Sequence, residues 1–142
     1  MGPPAVRARR VSPAAFAVAM ARVLALTRDL MFGSRVQGAL SAAGHEVELV
    51  DGEARLRELL GDADAPPPPA VMVADLTDPD LDAAAIVQSL AADGMLAATR
   101  TLAFYSHVDT VARERAEQAG FDLVVPRSRM AREGAALVAQ LL

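Results

Sequence analysis

The chain has 142 residues, is 53% hydrophobic, carries a formal charge of −4 and contains neither cysteine nor lysine. That length and apolar content suit one globular domain with a sizeable core. The missing cysteine removes disulfides, thiolate metal sites and thiol nucleophiles, and the missing lysine removes Schiff-base chemistry and any Walker-type phosphate loop.

Residues 1–19 (MGPPAVRARRVSPAAFAVA) hold +3 through Arg7, Arg9 and Arg10, which leaves −7 on residues 20–142. Three readings compete: a flexible or partner-binding arm, a leader mis-assigned upstream of a start at Met20, and a signal peptide with Ala14 to Ala21 as its apolar part. The stretch is short, alanine-rich and followed almost at once by a core strand, which favours the flexible arm or mis-assigned leader. Residues 20–142 are then the domain. No run approaches the ~18 apolar residues of a membrane span, so a cytoplasmic domain with no membrane contact is expected.

From Arg22 onward, short apolar runs alternate with segments of helical period. Val23 to Leu26 reads as a strand buried on both faces. Gly33 to Ala43 reads as a helix with Val36, Ala39, Leu40 and Ala43 on one face, stopped by Gly44 at the position of a C′ glycine. Glu46 to Val50 is a second strand and Gly52 to Leu60 a second helix, with Leu56, Leu59 and Leu60 inward. Asp62 to Pro69 is a loop in which Pro66 to Pro69, lacking N–H donors, form a stiff spacer. Ala70 to Ala74 is the third strand; Leu81 to Ala92 is the third helix, buried through Ala85, Ile86, Ser89 and Leu90. Thr101 to Tyr105, Thr110 to Ala119 ended by Gly120, Asp122 to Val125 and Met130 to Leu142 complete a strict alternation of five strands and five helices.

This alternation predicts an α/β fold in which right-handed crossovers build a parallel sheet covered by helices on both faces. With five strands the common order is 2-1-3-4-5, the flavodoxin-like arrangement, with its site at the carboxyl ends of the strands. Chemistry should then come from Thr27 to Asp29, Asp75 to Asp80, Tyr105 to Asp109 and Pro126 to Arg129.

Asp75 follows the third strand directly, with Pro79 four and Asp82 seven residues further on. Over residues 20–142 this resembles the response-regulator receiver family, in which a phosphoryl-accepting Asp begins the pattern D-x-x-x-P-x-x-D-G. Ala83 replaces the final glycine. The resemblance implies bacterial two-component signalling, with Asp75 as the phosphoacceptor-equivalent. It also implies two acids at the end of the first strand to hold Mg²⁺, and here those positions are Thr27 and Arg28, with Asp29 one residue later. Two unit charges about 4 Å apart repel by roughly 4 kcal/mol at an effective dielectric of ~20, so Arg28 in that place opposes a cation. The family's hydroxyl after the fourth strand falls on Tyr105 with Ser106 next, and its lysine on Arg127, whose planar fork is a different instrument from an ammonium.

The resemblance with these departures implies a degenerate, or pseudo-, receiver: a stand-alone, non-enzymatic signalling domain that needs no cofactor. It would act by contact with a protein partner, including a homodimer through the last helices and fifth strand, the face that receivers use. Two alternatives stay open. Asp75 is phosphorylated atypically, with Mg²⁺ held by Asp29 and Asp75, or the crevice residues Arg28, Asp75, Tyr105 and Arg127 surround an anion such as a nucleotide phosphate in a small binding protein or enzyme.

Plainer roles compete at each position. Asp75 can tie off the turn after its strand, and Asp78, Asp80 and Asp82 can serve a solvated loop and a helix start rather than a cation. Ser106, His107 and Asp109 lie too close in one loop to converge as a triad, and no G-x-S-x-G elbow accompanies them. Arg127, Arg129 and Arg132, with Arg28 nearby, either bind an acidic group or neutralise the loop beside Asp75. Nucleic acid is disfavoured by the −7 charge and the lack of a basic stripe.

Overall fold

A computed structural model describes residues 21–62 and 68–142. The leader at 1–19 and the first two prolines of the expected spacer lie outside the described residues. The elements run β1 (Arg22–Leu26), α1 (Leu30–Ala42), β2 (Glu46–Val50), α2 (Glu53–Gly61), β3 (Val71–Asp75), α3 (Ala83–Ala92), β4 (Arg100–Tyr105), α4 (Thr110–Ala119), β5 (Leu123–Pro126) and α5 (Arg127–Leu141). The five strands form one sheet in the order β2-β1-β3-β4-β5, every pair parallel, as the alternation predicts.

Alternate residues of the strands feed two cores, one on each face of the sheet. Leu24, Leu26, Met72 and Ala74 pack on one side with Leu56 and Leu59 of α2, Ile86, Val87 and Leu90 of α3 and Ala116 of α4. Val23, Ala25, Val71 and Val73 pack on the other with Phe32, Val36 and Leu40 of α1 and Met130, Leu137 and Val138 of α5. Among the described residues no helix is long and apolar enough to cross a membrane.

The differences from the sequence reading lie mostly at element ends, where caps rather than periodicity decide. Helix α1 starts at Leu30, not Gly33, because Asp29 caps it by accepting from Phe32 N. Leu30 and Met31 are 73% and 84% exposed, so the first turn adds nothing to the apolar stripe. Helix α3 starts at Ala83, not Leu81, because Asp82 accepts from Ala85 N. Its buried stripe is Ala83, Ala84, Ile86, Val87 and Leu90, whereas Ala85 and Ser89 face solvent. On α1, Ala39 and Ala43 are likewise exposed, and Phe32 and Gly33 take their places in the core.

Asp122 stands outside β5 because its side chain accepts from Thr101 N at 2.7 Å and Thr101 Oγ1 at 3.2 Å, stitching the approach to β5 onto β4. The polar first turn of α5, Arg127 to Arg129, carries no apolar signal, so the helix begins three residues before Met130. Gly44 and Gly120 do stop their helices, with φ of 95° and 91° in the region glycine alone enters freely. At Gly44 the closure is a Schellman pair: Gly44 N donates to Ser41 O and His45 N to Leu40 O, both at 3.0 Å.

Candidate functional site

The carboxyl ends of β1 and β3 meet at Asp75. Asp75 is the last residue of β3 and is 1% exposed, so its carboxylate must find its partners within the protein. It finds three donors. Thr27 Oγ1 gives 2.7 Å to Oδ2, while Thr77 N at 2.7 Å and Thr77 Oγ1 at 2.6 Å both reach Oδ1. Thr27 is held in place because its N–H continues the β1–β2 pairing onto Val50 O and its hydroxyl accepts from Asp29 N. Asp75 therefore does tie off the turn after its strand, in the Asx manner.

The other residues expected around the crevice are brought together there, with two exceptions, Tyr105 and His107. Arg28, Asp29, Asp75, Asp78, Ser106 and Arg127 line one open hollow, with Thr77 and Pro79, of about 490 Å³. Tyr105, expected on the rim, is instead a buried end residue of β4, and the hydroxyl that lines the hollow is Ser106. His107 is exposed and lines a neighbouring hollow. Asp109 spends its carboxylate on the cap of α4, accepting from Ala112 N at 3.0 Å, so Ser106, His107 and Asp109 make a turn and a helix start.

The two arginines lie across the rim, each bound to a different acid. Arg28 Nε donates to Asp78 Oδ2 at 3.0 Å, and its Nη2 stands 3.4 Å from Oδ1 and 4.0 Å from Asp80. This hydrogen bond, followed by the N–H of Asp80 on the same side chain, holds the Asp78 carboxyl below the usual carboxylate range, and raises Arg28 in turn. Arg127 Nη2 donates to Asp29 Oδ2 at 3.1 Å while the guanidinium stacks 4.3 Å above the Phe32 ring. Asp29 is thereby shared between the cap of α1 and Arg127. Arg129 and Arg132 both pair with Glu133 and stand apart from this group.

The receiver resemblance implies a magnesium ion beside Asp75, and the donor set present does not fit one. Mg²⁺ takes carboxylates and waters in strict octahedral array. Here the atoms nearest Asp75 are hydroxyl and amide donors already spent on it, Asp29 and Asp78 are each tied to an arginine, and both guanidinium groups line the same hollow. Among the described residues no group of three His, Cys, Asp or Glu side chains is placed to hold a metal ion.

Sequence reasoning passed over Thr77, which supplies two of the three bonds to Asp75. Its signal was local: a hydroxyl residue two positions after an Asp in a turn is placed to return to that carboxylate. The sequence offers the arginines, Arg28 among them, as neutralising the loop beside Asp75, and Arg28 pairs with Asp78 of that loop, fifty residues away; only the particular partner left no local trace.

No protein-family model matches the chain, and no curated protein does. Solved structures match closely in shape, and they define a class. The chemotaxis response regulator CheY4 of Vibrio cholerae superposes with a TM-score of 0.72 at 17% identity, over 87% of this chain and 99% of that one. The signal receiver domain of the putative response regulator NarL from Mycobacterium tuberculosis gives 0.68 at 22% identity, over 85% and 94%. A putative response regulator from Chloroflexus aurantiacus gives 0.73 at 15%, over 86% and 97%. At these identities the likeness is one of architecture: this chain has the receiver fold.

Proposed function

We propose that the chain is a pseudo-receiver: a non-enzymatic regulatory domain of the response-regulator type that works through protein contact, without magnesium-dependent phosphorylation of Asp75. One observation carries the reading. Both carboxylate oxygens of Asp75 are engaged by Thr27 and Thr77 in a buried setting, with no second free carboxylate beside them. Phosphoryl transfer to an aspartate needs a free oxygen lone pair in line with the phosphorus and cations on the oxygens that gain charge. Here Oδ1 already accepts two hydrogen bonds and Oδ2 one, which leaves a single lone pair on Oδ2, and the rim cations Arg28 and Arg127 are each paired with an acid, Asp78 and Asp29.

The contact surface suggested by the receiver fold is the α4-β5-α5 face. Helix α4 supports that choice, since Ala116 is its single buried residue and Val111 on its first turn is 64% exposed. A helix so thinly packed on its own sheet has most of its surface available to a partner, including a second copy of the chain.

The deciding experiment incubates the protein with a small-molecule phosphodonor and Mg²⁺ and reads intact mass, with Asp75→Asn as control. No mass gain is expected. A gain of one phosphoryl group that vanishes in Asp75→Asn overturns the proposal.

A further inference from the structure

We propose that a second hollow, between the starts of α1 and α5 and adjacent to the crevice, is a binding site for a phosphate-bearing small molecule. Its lining comes from Arg35, His107, Arg127 and Ser128 over the buried edge of Phe32, about 340 Å³ in all, and includes no carboxylate. An acid-free, twice-arginine hollow is out of keeping with residues 20–142, which carry −7. Thr77, Ser106 and Arg127 line both hollows and so form the partition between them, while Asp75 and Asp78 lie on the far side only.

The donors suit a phosphate group rather than a single carboxylate. Arg35 makes no ion pair or hydrogen bond with another described residue, so its whole guanidinium fork is available. Arg127 gives one Nη2 hydrogen to Asp29 and rests with its Cζ 4.3 Å from the Phe32 ring centroid, two contacts that fix the guanidinium and leave further N–H groups for a ligand. His107 and Ser128 add a ring nitrogen and a hydroxyl to the same lining, beside the apolar Phe32 and Ala131, as candidate donors to the three or four acceptor oxygens of a phosphate. The start of α5, where Pro126 offers no side-chain cap, adds a favourable partial charge to that arrangement. Asp29, outside the lining, is held by the Arg127 guanidinium at 3.1 Å. Arg35, His107 and Ser128 belong to this hollow alone, whereas Thr77, Ser106 and Arg127 are shared with the crevice of Asp75.

The test titrates the full chain with inorganic pyrophosphate and, in parallel, with ADP, at matched ionic strength, by calorimetry. Wild type, Arg35→Gln, His107→Gln and Arg129→Gln are compared, the last removing an arginine of α5 outside the hollow. Saturable binding is expected, weakened about tenfold by Arg35→Gln through loss of a charge-assisted fork, weakened also by His107→Gln, and unchanged in Arg129→Gln. Equal affinity for the two probes assigns recognition to the phosphates, and tighter ADP extends the ligand to a nucleotide; either upholds the site. Absence of saturation, or equal weakening by Arg35→Gln and Arg129→Gln, overturns it as mere surface charge.

Discussion

Thr27 Oγ1 donates to Asp75 Oδ2 at 2.7 Å and so joins the ends of β1 and β3 inside the protein. The two residues are 5% and 1% exposed, so the bond is made in a largely desolvated setting where its loss is costly. The same hydroxyl accepts from Asp29 N at 3.1 Å, so the buried carboxylate is chained to the cap of α1.

Thr27→Val keeps the shape and deletes the hydroxyl. One oxygen of a buried carboxylate and one backbone N–H then lose their partner, a cost of about 1–3 kcal/mol. Thr77→Val costs less, because Thr77 N still bonds Oδ1 and the residue is only partly buried. The check is the urea midpoint at constant slope. Equal stability of Thr27→Val and wild type would show that the bond is not made in solution.

Gly33 and Gly38 both lie in α1 and respond in opposite senses to alanine. A Cβ at Gly38 meets nothing within 4 Å, so Gly38→Ala gains about 0.5–1 kcal/mol from lower unfolded-state entropy. A Cβ at Gly33 meets Thr27 Cγ2 at 3.0 Å and Leu49 Cδ1 at 3.3 Å. Thr27 cannot turn aside without breaking its bond to Asp75, so overpacking of about 1–3 kcal/mol outweighs the helix gain. Thermal unfolding of the two variants side by side is the measurement, and a stabilised Gly33→Ala contradicts the close packing of α1 on Thr27.

The architecture was legible because its signals are local and repeated. Strands of four to six residues are too short to be read as helices, and Gly44 and Gly120 mark where helices stop. The position of Asp75 was legible for the same reason, being the first acid after an apolar run. Its chemical state was not, because that depends on which hydroxyls converge from residues 27 and 77, and convergence is set by strand order and rotamer. The rim shows the same limit more sharply. Arg28 read in isolation is a positive charge at a metal position, whereas in three dimensions Asp78 draws it across the rim and Asp75 is faced by neutral hydroxyls. The helix starts at Leu30 and Ala83 escape a reading by periodicity because a capping Asp sets them, and because the apolar Leu30 and Met31 of α1 face solvent.

Asp82 joins the start of α3 to α4, accepting from Ala85 N at 3.1 Å and from Arg115 Nη2 at 2.9 Å. Asp82→Ala loses both, and the cap dominates at about 1 kcal/mol, within a range of roughly 0.5–2. Asp82→Asn keeps a capping oxygen and gives up only the charge of an exposed pair, a loss of about 0.5 kcal/mol or less. Urea midpoints that fall equally in the two variants would place the stabilisation in the Arg115 pair instead.

Acid should weaken the fold partly through Asp78 and Asp82. The Arg28 hydrogen bond, then the Asp80 N–H, lowers Asp78, and the Ala85 N–H, then Arg115, lowers Asp82. Each folded value lies below the unfolded one, so the ionised form favours the native state. That contribution is complete above the ordinary carboxylate range near 4 and is lost as pH falls through the folded values. Arg28→Gln removes the largest cause at Asp78. Its urea midpoint should therefore trail wild type at about pH 7 and converge on it once pH has fallen through the folded value of Asp78, with the neutral-pH gap narrowing in ~1 M salt because the pair is exposed. A gap that stays the same from neutral to acid pH would mean that Arg28 acts by packing rather than through the charge of Asp78.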